Sequence, residues 1–413
     1  MIRLQHTVKL VVWVVAALLG CVAAAAAQEP EPETRAEALR RQREAKATEL
    51  VPPQPTKLEK ALLDLENGRV FERLLSPPEG LYPKFGTITP GSGLSIGPGY
   101  RSTHHLGGNV DFSTFAMASL KGYWIGEARV QMPRLLDERL AIDLHGQRYD
   151  FAEEPFFGIG PDSLRSDEVF YGLRNFVVGG SATLRPRSWL SISGGADYLT
   201  PRIEAFGEDD SIGTRFDETS APGLTEEADF VRSEGKIDVN FREPRGNPRQ
   251  GGRYTLTYQR FEDIDSGSFS FNRVEADAQQ YISLYRNRRI LALRALASVS
   301  DNDEGARVPF YFQRTLGGPD DLRGFRRFRF RDENALLFQA EYRWEIFTAV
   351  DGALFYDAGK VASRIEDVNL QHLESDYGFG FRFGTANNVF LRIEAAFGSS
   401  GGKHFIFRFA NVF

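Results

Sequence analysis

The chain has 413 residues, a formal charge of -6, 42% hydrophobic residues and a mean hydropathy of -0.33. That balance excludes a global basic field for nucleic acid and a bundle of apolar membrane helices. A single cysteine excludes a disulfide scaffold, while 40 glycines and 33 phenylalanines without long apolar runs favour short strands and turns.

The first predicted element is a leader. Arg3 and Lys9 precede an apolar stretch from Leu10 to Leu19, and an alanine run supplies a cleavage zone. A secretory signal over 1–27, cut near Ala27, is expected; the alternatives are an uncleaved anchor helix and lipidation at Cys21. Residues 28–55 are charged and proline-flanked, which predicts disorder. Leu58, Leu62 and Leu65 then recur at helical spacing, so a short periplasmic helix is expected before Pro77 and Pro78. Residues 28–81 are too few for a second folded domain.

From residue 82 to 413 the pattern changes to segments of about ten residues with period-two alternation. Within 334–347, Leu336, Phe338, Ala340, Tyr342, Trp344 and Ile346 share one face; Gln339, Glu341, Arg343 and Glu345 share the other. Tyr377, Phe379, Phe381 and Phe383 oppose Asp376, Gly378, Gly380 and Arg382. Val389, Leu391, Ile393, Ala395 and Phe397 oppose Arg392 and Glu394. The last segment sets Phe405, Phe407, Phe409 and Phe413 against His404, Ile406 and Arg408. A soluble β-sandwich also alternates, but its outer face does not carry aromatics to both ends of each strand. Charged inner faces with aromatic outer faces predict an all-β fold, a transmembrane antiparallel β-barrel. Short connections (186–188, 242–251, 284–288, 347–350, 385–388) alternate with long ones (152–167, 206–228, 263–268, 302–333, 362–375). Short turns belong to the periplasmic side, and a periplasmic N-terminus then requires an ascending strand near 82–90, giving about sixteen strands. That first strand, rich in Pro and Gly, is the weakest.

Several motifs carry chemistry only in other settings. Gly93-Leu-Ser-Ile-Gly97 fits a nucleophile elbow centred on Ser95, but Pro98, Gly99 and Tyr100 follow it instead of a helix. His104 and His105 lie in an expected periplasmic turn, where solvated side chains are the simpler reading than a metal site. No cofactor, no metal and no enzyme activity are expected.

Four stretches resemble the bacterial surface antigen family, the BamA/TamA superfamily of outer-membrane assembly and translocation barrels. "LGGPDDLRGF" is similar to the tip of its sixth extracellular loop, with the R-G-F core at 323–325. "LLFQAEYRWEIF" and "GALFYDAGKV" resemble the two strands that follow, and "FIFRFANVF" the terminal strand; "NPRQGGRYTLTY" is similar to a turn and strand of the family. The resemblance implies that the loop folds back into the lumen and is pinned there by Arg323 between Glu341 and Asp357. Parity independently turns both carboxylates inward, Asp357 on the same face as Asp351. A guanidinium between carboxylates makes bidentate bonds that lysine does not reproduce. Gly324 would allow a tight backbone turn and Phe325 would pack as an apolar plug. Arg326, Arg327, Arg329 and Arg331 are left open between lumenal carboxylates and lipopolysaccharide.

Phe405, Phe407, Phe409 and Phe413 would form the C-terminal assembly signal. Family members carry periplasmic POTRA modules, for which residues 28–81 leave no room. Two functions remain open: membrane-protein insertion, assembly or translocation through a weak first–last strand seam, and a passive pore or structural barrel. Expected partners are outer-membrane lipid and lipopolysaccharide, the barrel assembly machinery and a separate periplasmic protein, with no nucleic acid.

Overall fold

The computed structural model describes residues 79–408, except 90, 105–108, 206–209, 286, 348, 386 and 400. The leader, the charged segment, the short helix, Phe409 and Phe413 lie outside the described residues. The strands start with β1 (Gly80–Gly86), β2 (Ser95–His104), β3 (Val110–Ser119), β4 (Trp124–Leu135) and β5 (Leu140–Phe156). They continue with β6 (Val169–Arg187), β7 (Leu190–Leu199), β8 (Arg202–Glu204), β9 (Phe230–Asn240) and β10 (Gly251–Asp263). Next come β11 (Phe271–Ser283), β12 (Arg289–Asn302), β13 (Arg314–Leu316), β14 (Phe330–Asp332) and β15 (Asn334–Phe347). The last are β16 (Val350–Ala362), β17 (Glu374–Gly384), β18 (Val389–Gly398) and β19 (Lys403–Arg408).

Each long strand pairs antiparallel with its neighbour in chain order. The short β8 lies against β6, and β13 and β14 form a separate hairpin inside the loop after β12. Setting those three aside leaves sixteen wall strands, as the parity of the ends requires. The first begins at Gly80, two residues before its expected start.

Burial is inverted relative to a soluble protein. Leu354, Tyr356, Tyr377, Phe379, Phe381, Phe405 and Phe407 point outward with 43–76% of their surface exposed. The opposite parity holds Glu341, Arg343, Asp357, Asp376, Arg382, Arg392 and Glu394, none more than 2% exposed. An apolar exterior around a charged interior is stable only with hydrocarbon outside.

The wall is weakest where it begins. Pro83 on β1 stands opposite Pro98 on β2, so one rung lacks both amide donors. A Cβ on Gly99 would sit 2.4 Å from the Tyr82 ring, and one on Gly97 only 1.7 Å from the Ala116 carbonyl oxygen. These glycines let β2 bend tightly against its neighbours, in place of any hydrolase elbow; Ser95 is buried at the start of β2. His104 ends the same strand.

Outside, the segments 157–168, 200–205, 210–229 and 303–333 close into a dome. Phe156, Tyr171, Ile212, Leu224 and Phe310 share one buried cluster, with the Phe310 ring 5.2 Å from Phe156 and 4.8 Å from Tyr171. Burying each such side chain contributes about 1.5–3 kcal/mol. On the periplasmic side, residues 241–250 reach away from their own hairpin. Arg245 donates to the Ser188 carbonyl oxygen (2.8 Å), Arg249 to that of Asn287 (2.8 Å) and to Asp351 (3.0 Å), and the Asn247 amide to the Thr385 carbonyl oxygen (2.9 Å). Gly246 also bridges to Asn388. The segment therefore straps across from the β9–β10 turn to the β17–β18 turn, with the turns after β11 and β15 lying between them on the rim.

Candidate functional site

The dome's loop after β12 descends into the lumen, and its tip carries Arg323. The alternation of β15, β16 and β18 delivers Glu341, Asp357 and Glu394 to the same place. Arg323 Nε and Nη2 donate to the two oxygens of Asp357 at 2.6 and 2.8 Å. Its Nη1 donates to Glu341 Oε2 at 3.0 Å and to Glu394 Oε1 at 3.4 Å. The guanidinium carbon lies 3.4 Å from the centroid of the Phe355 ring. All four charged side chains have no exposed surface, so the fork is both charge-assisted and desolvated.

A second layer of cations balances the carboxylates. Arg343 Nε donates to Glu341 Oε1 at 2.6 Å, Arg382 pairs with the same oxygen, and Arg392 lies 3.5 Å from Glu394. Arg392 also donates to the Pro319 carbonyl oxygen at 3.2 Å, and Arg408 pairs with Asp320, so β18 and β19 both grip the loop tip. Sequence parity placed Arg343, Arg382, Arg392 and Glu394 on the charged face. It had no means of linking them to Arg323, because that link needs the depth to which the loop descends. Phe355 was missed because an aromatic at an inward position carries no charge pattern.

Gly324 is required for a reason other than the expected tight turn. A Cβ there would lie 2.5 Å from both the Asp376 Cβ and the Gly398 amide nitrogen, so its backbone packs directly on β17 and β18. Phe325 is 6% exposed and sits among Leu316, Leu322, Phe330 and Val361. The four remaining arginines meet protein groups of the dome. Arg326 pairs with Glu168; Arg327 donates to Glu154 (3.2 Å) and Thr89 (3.3 Å). Arg329 donates to Ser163 Oγ at 2.8 Å, and Arg331 to the Phe310 carbonyl oxygen at 2.5 Å. They rivet the loop to the β5–β6 connection and its neighbours. Phe405 and Phe407 face outward on β19.

Among the described residues no ladder joins β1 to β19; β1 is paired with β2 and β19 with β18. Between the two ends lies a cavity of about 810 Å³, lined by Gly86 and Thr87 beside β1, by Arg323 and Phe325 of the loop tip, and by residues 404–408 of β19. The pinned tip thus borders an unzipped seam.

A charged lumen within an apolar wall, plugged by an arginine-held loop, defines an outer-membrane β-barrel. Residues 229–409 match the Omp85 superfamily domain. Among solved structures it is similar to BamA of Haemophilus ducreyi lacking POTRA domains 1-3, with a TM-score of 0.59 at 13% identity over 88% of this chain and 80% of that one. CdiB of Escherichia coli and CdiB of Acinetobacter baumannii superpose with a TM-score of 0.50 at 14% identity. They cover 80% and 79% of this chain and 59% and 57% of theirs, so the chain spans under two thirds of either. No curated protein sequence matches.

Proposed function

We propose that the protein inserts or translocates polypeptides at the outer membrane by opening the seam between β1 and β19, with Arg323 holding the loop tip as the lock beside that opening. The observation that carries this reading is the unladdered seam sharing one cavity with the pinned tip. Exposed strand edges template added strands, and β1 with its Pro83–Pro98 rung holds its place weakly. A separate periplasmic protein would deliver the cargo, and the barrel assembly machinery would install the barrel itself.

The experiment introduces cysteines at Thr87 and His404, which border the cavity, in a chain that also carries Cys21→Ser. A short bifunctional maleimide then ties the seam in intact cells. Loss of specific outer-membrane or exported proteins on tying, matching that seen on depletion, supports the reading. Unchanged protein content, together with large stable openings in planar bilayers, favours a passive pore instead.

A further inference from the structure

Beside the Arg323 fork stands a carboxyl group that the fork does not reach. Asp376 lies directly opposite Asp357 in the β16–β17 ladder, so the two side chains point inward from neighbouring positions. Asp376 is 1% exposed, and neither of its oxygens accepts a hydrogen bond of ordinary geometry from a described residue. Asp357 has nothing to give it. Its own two oxygens already accept from Arg323 at 2.6 and 2.8 Å, and one of them from the Gln339 amide at 3.3 Å. Yet the two carboxyl groups lie within hydrogen-bonding reach of each other. Two acceptors in contact repel unless one of them carries a hydrogen.

The surroundings offer no larger cation in its place. The loop tip closes over the site, where a Cβ on Gly324 would lie 2.5 Å from the Asp376 Cβ, and solvent does not reach the Asp376 oxygens. Among the described residues no three acidic or histidine side chains converge closely enough for a metal ion. The charged groups that bear on Asp376 are Asp357 from β16 and Arg323 from the loop tip. At its level β18 presents only Gly398; Glu394 stands four residues further along β17's ladder, opposite Gly380. Glu341 of β15 and Glu394 both draw on Arg323 themselves. On β17, Glu374 is taken up by the Ser399 hydroxyl at 2.7 Å. A proton is the cation that fits.

We propose that Asp376 is a proton-binding site of the loop lock: it carries a hydrogen, donates it to Asp357, and so steadies that carboxylate under the Arg323 fork. The inference rests on the reading of Arg323 as the lock. Two buried carboxyl groups side by side share a single proton in this way. When the tip lifts, Asp376 meets water and passes its proton to it, as a solvated carboxylic acid does above about pH 4. The closed lock therefore holds one proton more than the open one, and by linkage its stability falls as the pH rises. Acid tightens the loop, and alkali loosens it.

The test uses the full chain in outer membranes and follows protease cleavage within 303–333 from about pH 5.5 to about pH 8.5. Asp376→Asn keeps a donor toward Asp357 but does not titrate, and a heat-modifiable band verifies its fold. It is cut beside the wild type at each pH, so the protease's own pH response cancels. The ratio of wild-type to variant cleavage should rise several-fold across the range, by at most about tenfold per pH unit. Infrared spectroscopy of the purified chain gives a second reading. The wild type should show the carbonyl band of a protonated carboxyl at neutral pH, fading in step with the rise in cleavage and missing from Asp376→Asn. Arg323→Ala separates the two ideas. If it is cut no faster than the wild type at about pH 5.5, the lock fails and the proton site with it. If it is cut faster while the wild-type to Asp376→Asn ratio stays flat, the lock stands and the proton site is overturned. Absence of the infrared band, or its persistence in Asp376→Asn, overturns it equally.

Discussion

Arg323 grips its partners through three nitrogens, so different substitutions should fail by different amounts. Arg323→Ala strands Asp357 in a confined space, while Glu341 keeps Arg343 and Arg382. Removing one partner of a buried pair typically costs about 3–5 kcal/mol, and the loss here should fall mainly on Asp357. Arg323→Lys keeps the charge without the fork and should be partly defective. The measurement is protease cleavage within 303–333 in intact outer membranes. Arg364→Ala, at an exposed position, serves as the control and should leave cleavage unchanged. Arg329→Ala is no such control, because Arg329 holds Ser163 and should loosen the 157–168 connection. Gly324→Ala should reproduce Arg323→Ala, since its Cβ would collide with β17 and β18. Wild-type cleavage in both Arg323→Ala and Gly324→Ala would rule out the pinned loop. At this scale the sequence showed which carboxylates face inward, since parity is local. It could not show Glu394 as a third acceptor, because that contact joins residues 71 positions apart through a loop of unknown depth.

Strands were the most legible elements, and most legible toward the C-terminus. Exposed Tyr377, Phe379 and Phe381 alternate with buried Asp376, Gly378, Gly380 and Arg382 along β17, so two-residue periodicity sufficed there. The three-residue strands β8, β13 and β14 were not legible, being too short to show a period. The dome's aromatic cluster was equally hidden: Phe156 and Phe310 meet only after distant connections fold over one another. For β19, Phe407→Arg puts a charge on the lipid face, at a cost of about 2–4 kcal/mol at mid-membrane depth. The heat-modifiable barrel should fall accordingly, whereas Phe407→Leu should assemble normally. Deleting Phe413 should lower the assembled fraction as well, because the outward stripe that starts at Phe405 and Phe407 would lose its terminal member. Wild-type levels of assembled barrel in that deletion would remove Phe413 from the assembly signal.

For the whole molecule, sixteen strands form the wall, the even number expected of a barrel whose two ends lie on one side of the membrane. What no local pattern revealed is that the wall is obstructed from both sides. The arginine-held loop fills it from outside, and the 241–250 segment crosses its inner mouth through Arg249 and Asn247. Obstructions in series behave like resistors in one circuit, in which the larger dominates. Arg323→Ala alone should therefore stay nearly silent in planar bilayers, as should Asn247→Ala combined with Arg249→Ala; the triple variant should conduct. Stable large openings from Arg323→Ala alone would show that the strap is no barrier. In a living cell the same arrangement is a double-hulled design. A single breach should leave the envelope tight to bulky antibiotics, and only cells carrying both lesions should become sensitive.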